Sequence, residues 1–285
     1  KEWLDENNLP PVEVKIDNTN QGLSKKLTQG LAGVGADILD VYGNNIGIFA
    51  ASGMLMDVTE KAQELGFGPD KTYPALQSDL IFDGKQYGFP RNAGAGMVWI
   101  NKDTFARYGI EEPPDRWTWD DFERIGTEFV EAANPPGTRD RVYFMKPSSN
   151  MMSMTELRRG MGLSTFNETM TECILDDERT VEVMRRMYRW VVELQLIPTI
   201  ADQNAMTADT PIAGGATFYL FSVGRYAMLN LPRWALIRLR PLGKLSLRVV
   251  EPPHTGFPNI QFGCGIVGAY TNTKYPEETA QFLQF

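Results

Sequence analysis

The sequence predicts an α/β protein in which helices pack against a mostly parallel sheet. Three observations support this class. The first 60 residues alternate strand-like and helix-like patterns in the order β-α-β-α, a hairpin pattern follows, and a strongly amphipathic helix is predicted after residue 118. Alternation of short strands with helices is typical of α/β folds.

The predicted elements of the first 60 residues rest on apolar periodicity. Residues 12–16 alternate apolar and polar side chains, which predicts a strand. Leu23, Leu27 and Leu31 recur at helical spacing and share one face. The segment "ADILDV" predicts a short buried strand, and "NIGIFAASG" predicts a short helix that glycine ends.

A hairpin and a run of small residues come next. "LIFDGKQYGF" carries Asp83-Gly84 between two short strands, which predicts a two-residue turn. Ala93–Gly96 then precede the apolar segment "MVWI". The simplest interpretation of these small residues is a glycine-softened loop between strands, where Arg91 and Asn92 could meet a ligand.

Two helices dominate the middle of the chain. Thr118 with Asp121 forms a capping-box pattern ahead of Phe122, Ile125 and Phe129, which are spaced on one face. A longer helix is predicted in "DDERTVEVMRRMYRWVVELQLIP". Its expected inward residues are Val181, Met184, Tyr188, Val191 and Leu194.

Composition excludes several classes of function. The 285 residues carry a formal net charge of −8 and no basic stripe, so we expect no nucleic acid partner. His254 is the single histidine, and Cys173 and Cys264 lie far apart, so we expect no zinc site and no cofactor. No apolar run approaches the roughly 18–20 residues that span a bilayer.

Four stretches, in this order, resemble the extracellular solute-binding proteins of bacterial ABC importers, in the sugar-binding group that includes the maltose-binding protein. They are "GADILDVYGNNIGIFAASGMLMDVTE", "DGKQYGFPRNAGAGMVWINKDTFARYGIEEPPDRWTWDDF", "GRYAMLNLPRW" and "TNTKYPEETAQFLQF". Each motif alone is weak, whereas four in series are specific.

The resemblance implies a periplasmic-binding-protein-like fold, with two α/β lobes joined by a hinge and a ligand cleft between them. Lobe 1 is expected to hold residues 1–96 and 262–285, and lobe 2 residues 97–261. The family's first strand would then precede residue 1, and further helices would follow residue 285. Gly94 and Gly96 would form part of the hinge and cleft wall.

The resemblance also implies a set of ligand-binding residues. Tyr42, Asn44 and Asn45 follow a strand, where α/β proteins collect ligands, although one asparagine is expected to cap the next helix. Arg91 and Asn92 would face the ligand from the cleft floor. The alternative for Arg91 is an ion pair with a carboxylate across the cleft.

Three more candidates come from later segments. Asn150 is expected at the start of a helix in lobe 2, where Ser148 and Ser149 compete with it as the cap. Trp234 matches an aromatic platform for a sugar ring, and core packing is its alternative. Gly263 lies where the chain would return to lobe 1, so its backbone amide could touch the ligand.

The predicted function is capture of a sugar or oligosaccharide by a monomer that delivers it to a membrane ABC permease. The protein is expected to be periplasmic or extracellular, or anchored to a membrane through a segment ahead of residue 1, and not to be an enzyme. The alternatives are a carbohydrate-active enzyme resembling glycoside hydrolases and a binding protein for a charged solute. Asp40 is expected to face away from the ligand loops, which would leave them almost without the carboxylates a glycosidase needs.

Overall fold

The computed structural model describes residues 5–6, 13–17, 22–146, 154–208 and 215–283. The α-helices are α1 Leu23–Leu31, α2 Ile46–Ala51, α3 Thr59–Glu64, α4 Lys102–Tyr108, α5 Trp119–Ala133, α6 Met154–Gly160, α7 Glu178–Tyr188, α8 Ile200–Ala208, α9 Ala216–Ser222, α10 Ala235–Leu239 and α11 Pro276–Phe282. The strands are β1 Ile38–Tyr42, β2 Ile81–Phe82, β3 Lys85–Gln86, β4 Phe89–Asn101, β5 Tyr143–Lys146, β6 Tyr226–Pro232, β7 Leu247–Val250 and β8 Phe262–Ala269.

The chain forms two compact units. Unit 1 consists of residues 1–93 and 263–285, and unit 2 of residues 94–262. Both units combine helices and strands, which confirms the predicted α/β class. The sequence predicted two lobes, with boundaries at 96/97 and 261/262, that move relative to each other on ligand binding, and both the lobes and their motion stay predictions.

The sheet of unit 1 depends on a strand from the far end of the chain. β1 pairs antiparallel with β8, and β8 lies between β1 and β4. One face of β1, with Leu39 and Val41, packs into a core that also holds Cys264 and Ile266 of β8. Because side chains alternate along a strand, the opposite face of β1 carries Asp40 and Tyr42.

Two predictions are wrong, one about a strand near the start of the chain and one about the direction of pairing in the sheet. Residues 13–17 form no strand, and Val14 and Ile16 are exposed. The sheet is also not mostly parallel in the described residues, because β1 and β8, β4 and β6, and β4 and β7 are all antiparallel pairs. The neighbour of β1 comes from the end of the chain, so the expected βαβ unit is not completed.

The small residues Ala93–Gly96 lie within β4, so the loop interpretation is wrong. Backbone pairing explains the strand: the N–H of Gly96 donates to the carbonyl of Gln261, and Gly96 stands opposite Pro232 of β6. A β-carbon on Gly94 would lie 3.3 Å from the Pro232 side chain, so small residues allow close contact here. A hinge at these glycines stays a prediction.

Unit 2 has a core built around aromatic side chains. β4 pairs with β6 and β7, and β5 runs parallel to β6. Trp117, Trp119 and Trp190 are buried. The indole N–H groups of Trp117 and Trp119 donate to the carbonyls of residues 251 and 253, and that of Trp190 donates to a carboxylate oxygen of Glu123. Each of these three buried donors therefore has an acceptor.

The inward face predicted for α7 is wrong at three of its five residues, whereas Val191 and Leu194, which follow the helix, pack on the core as predicted. Val181, Met184 and Tyr188 are 45%, 57% and 57% exposed, whereas Val183 is buried and Met187 packs on the core. The helix carries apolar side chains on two stripes. The turn that follows it, Arg189–Glu193, is π-helical and directs Trp190 into the core.

The capping box at the start of α5 is formed as predicted. Thr118 Oγ1 accepts from the N–H of Asp121, and the Asp121 carboxylate accepts from the N–H of Thr118 at 3.0 Å. The Thr118 backbone N–H, with further hydrogen bonds from Thr118 Oγ1 and Arg124, lowers the pKa of Asp121 below its ordinary value of 3.8. The stabilisation is therefore present above pH 3.8 and is lost as the pH falls through the lowered pKa.

Replacement of this cap should destabilise the protein measurably. We expect Thr118→Ala to lower the free energy of unfolding by about 1 kcal/mol, because one helix N–H loses its acceptor. Urea unfolding measures the effect, with Thr118→Ser as the control that keeps the hydroxyl. Equal unfolding midpoints for the alanine and serine variants would contradict this role.

Candidate functional site

The exposed face of β1 forms the base of a polar cluster in unit 1. Asp40 and Tyr42 point to this face, and Tyr42 is 70% exposed. Tyr42 stands opposite Gly265 of β8 in the antiparallel register. The absence of a side chain at Gly265 leaves the strand surface beside Tyr42 bare, so another group can occupy it.

Arg91 and Asn92 of β4 occupy that surface. A β-carbon on Gly265 would lie 2.8 Å from Arg91 Nη2 and 2.9 Å from Asn92 Oδ1. Asn92 Oδ1 also accepts from the N–H of Gly265 at 3.0 Å. Only glycine at position 265 therefore lets both side chains lie against β8 without displacement.

The guanidinium of Arg91 reaches beyond β8 to β1. Its Nη2 lies 3.1 Å from Asp40 Oδ1, and the two side chains are 45% and 56% exposed. The expectation that Asp40 faces away from the ligand residues is therefore wrong. The ion-pair partner of Arg91 thus lies in the same unit, and the Asp40 carboxylate balances the positive charge of Arg91.

Asn44 and Asn45 follow β1 in a 3₁₀ turn, Gly43–Asn45. Asn45 stands at the N-cap of α2, but its side chain makes no capping hydrogen bond, so capping by that residue is wrong. Asn44 is exposed beside Tyr42, and Asn45 is half-buried.

A second carboxylate fixes the end of β1 from the other side. Asp79 Oδ2 accepts from the N–H of Cys264 at 3.3 Å and lies 3.5 Å from its thiol. A β-carbon on Gly43 would lie 2.4 Å from Asp79 Cβ, so this turn requires glycine. Burial, with the nearby Asp79 charge, raises the pKa of Cys264 to about 12. Cys264 is therefore a packed thiol rather than a nucleophile.

Gly263 begins the part of β8 that belongs to unit 1. Apart from Gly263 and its two chain neighbours, no heavy atom of the described residues lies within 4 Å of the position a β-carbon would take there, so that side of the strand is open. Contact between its amide and a ligand stays a prediction.

In unit 2, Trp234 is 48% exposed rather than buried. Its ring packs edge-to-face on Phe218, with centroids 6.0 Å apart and an interplanar angle of 71°. Phe218 is itself buried in the core. The indole is therefore braced by the core and presents about half of its surface to solvent, which argues against a purely structural role.

Asn150 lies outside the described residues. His254 is half-buried, and its Nδ1 accepts from the N–H of Gly256 at 3.2 Å.

Sequence reasoning missed the roles of Gly265, Asp40 and Asp79. The sequence did contain a signal for Gly265. It follows Cys264 in a strand pattern, so the strand face opposite the cysteine has no side chain at that position. The Asp40–Arg91 pair carried no local signal, because it depends on β8 lying between β1 and β4.

Neither a metal site nor a membrane-spanning helix is present in the described part of the chain. No group of three or more His, Cys, Asp or Glu side chains there is placed to hold a metal ion. No helix in those residues has the length and hydropathy needed to cross a membrane.

The family described as "Bacterial extracellular solute-binding protein" matches residues 3–235. The chain belongs to this family. An arabinooligosaccharide-binding protein from Halalkalibacterium halodurans is 26% identical over 169 residues, which cover 59% of this chain and 35% of that relative. The chain thus spans about a third of the length of the curated relative it matches.

Solved structures share the fold. An ABC substrate-binding protein, Lmo0181 of Listeria monocytogenes in complex with cycloalternan, superposes with a TM-score of 0.83 at 22% identity, over 100% of this chain and 69% of that one. A solute-binding protein of Thermotoga lettingae bound to α-D-tagatose gives 0.80 at 15% identity, over 99% and 70%. The fold is that of the ABC-transporter solute-binding proteins, as the sequence predicted.

The two cysteines should differ sharply in reactivity. Both are free, Cys173 is exposed, and the buried Cys264 thiol has its pKa raised to about 12. We expect iodoacetamide at mildly alkaline pH to label Cys173 in the native protein and to leave Cys264 unmodified, as read by peptide mass spectrometry. Both should react in urea. Equal labelling of the native thiols would contradict the described burial of Cys264.

Proposed function

We propose that this protein captures a neutral sugar or oligosaccharide outside the cytoplasm and delivers it to an ABC permease in the membrane. Membership of the extracellular solute-binding family supports capture and delivery. The carbohydrate assignment draws on the curated relative, named for arabino-oligosaccharides, and on the cycloalternan and tagatose bound to the two structural matches.

The observation that carries the carbohydrate assignment is the half-exposed Trp234. Aromatic faces stack against the C–H surface of a sugar ring, and a platform works best when its orientation is fixed. Packing on buried Phe218 provides that fixed orientation. An exposed indole whose orientation is fixed in this way is better suited to contact a ligand than to stabilise the fold.

The polar cluster of unit 1 suits hydroxyl groups. Tyr42, Asn44 and Asn92 offer neutral donors and acceptors, and the charge of Arg91 is balanced by Asp40. Gly263 adds an open stretch of backbone. We propose these residues, with Asn45 at the turn and Trp234 in unit 2, as the carbohydrate-contacting groups. Asn150 belongs to the same proposal, on the resemblance alone.

Neither alternative function is favoured. A glycosidase needs two carboxylates that face the scissile bond, whereas Asp40 is ion-paired and Asp79 binds a backbone amide on the other side of β8. A charged solute would call for unbalanced charges beside the candidate residues, and the Arg91 charge is balanced. Action as a monomer, and any membrane anchor, are part of the proposal and rest on the resemblance.

A ligand screen by thermal shift tests the proposal directly. A solute that binds only the folded state raises the melting temperature by mass action, so sugars can be ranked without knowing the ligand. The panel should hold neutral monosaccharides, oligosaccharides of pentoses and hexoses, their uronic acids, and choline- and amine-containing solutes. Isothermal titration calorimetry then gives affinities. Shifts confined to charged solutes would contradict a neutral sugar ligand.

The role of Trp234 can be separated from stability. We expect Trp234→Ala to weaken binding of the best sugar by about tenfold or more, because one aromatic anchor is lost. The urea midpoint should change little, because about half of the side chain is already exposed. Trp234→Phe should retain part of the affinity.

The matched control is Tyr188→Ala, which removes another exposed aromatic ring from unit 2. This control should bind sugar normally. Unchanged affinity of Trp234→Ala, together with a large loss of stability, would place Trp234 in the core and remove it from the proposed site.

A further inference from the structure

We propose that Asp40 makes the polar cluster of unit 1 selective for neutral over anionic sugars, by neutralising Arg91. This inference rests on the proposed carbohydrate function and concerns the same residues. The ion pair acts in ligand selection, and the class of sugars that it excludes is the uronic acids.

The geometry that creates the pair is specific to this strand order. Arg91 belongs to β4 and Asp40 to β1, and β8 lies between these two strands. The guanidinium crosses β8 at Gly265, where a β-carbon would lie 2.8 Å from Arg91 Nη2 and 3.3 Å from its Nε. The bare glycine therefore allows an arginine from one strand to meet a carboxylate two strands away.

The exposure of the pair argues against a mainly stabilising role. Arg91 is 45% and Asp40 56% exposed, and ion pairs in such positions contribute little to folding because water screens them. The same pair lies beside Tyr42 on the exposed face of β1 and next to Asn92. Its main effect is on the charge that this face presents to a solute.

The pair treats neutral and anionic sugars differently. A hydroxyl group can accept from a remaining N–H of Arg91 and donate to Asp40, so both charges are useful to a neutral polyol. A uronate carboxylate that approaches Arg91 meets the Asp40 carboxylate at close range, and like charges in contact are repelled. Lys26 donates to the backbone carbonyl of Asp40, and its charge is the same in every variant considered below.

Removal of the Asp40 charge should therefore shift selectivity. The experiment uses calorimetry on the whole protein and compares the affinities of galactose with galacturonate, glucose with glucuronate, and xylobiose with its aldobiouronic counterpart. We expect Asp40→Asn to raise the uronate-to-neutral affinity ratio by about tenfold, since Arg91 becomes available to the carboxylate. The gain should shrink as salt is added.

Two controls keep the result interpretable. Asp70→Asn removes the same charge from another exposed ion pair of unit 1, with Lys71 at 2.7 Å, and should leave the ratio unchanged. The double variant Asp40→Asn/Arg91→Gln should lose the uronate gain, because no guanidinium remains. Circular dichroism and urea unfolding establish that each variant is folded.

The outcomes distinguish this inference from the proposed function. A raised ratio in Asp40→Asn, absent from Asp70→Asn and abolished in the double variant, supports the inference. An unchanged ratio with intact neutral-sugar binding overturns the inference and leaves the carbohydrate function standing. A gain in Asp70→Asn as large as in Asp40→Asn also overturns it, since net charge would then suffice. Failure of the native protein to bind any sugar overturns both.

Discussion

The antiparallel pairing of β1 with β8 is the interaction on which the architecture of unit 1 depends. It joins a strand near the start of the chain to one near its end, and it sets the register in which Tyr42 faces Gly265. The buried sides of both strands supply one core, and their other sides support the polar cluster. A shift of this register by one residue would exchange the two faces and remove both features.

The candidate site of unit 1 is shaped by two glycines, Gly43 and Gly265, against which polar side chains lie closely. Gly43 leaves room for Asp79, which lies against the turn after β1 and accepts a hydrogen bond from the amide of Cys264 in β8. Gly265 leaves room for Arg91 and Asn92 on the other side of β8. Hydrogen bonds to the backbone and ion pairing between side chains thus keep these polar groups in place.

Features that depend on neighbouring residues could be predicted from the sequence, whereas features that depend on contacts between distant segments could not. The capping box at Thr118 and the Asp83-Gly84 turn depend on neighbouring residues, and both were predicted. The inward face of α7 was not, because its apolar side chains form two stripes and only the packing of Trp190 decides between them. The Arg91–Asp40 pair was missed because it requires the strand order of unit 1.

The same strand order affects how the polypeptide folds during synthesis. Unit 2 is one continuous segment, so all of its residues are available once residue 262 has left the ribosome. Unit 1 has to wait for β8, and until then the exposed edge of β1 lacks its partner. The sheet of unit 1 is therefore completed only after all of unit 2 has been synthesised, and until then the open edge of β1 can pair with other strands.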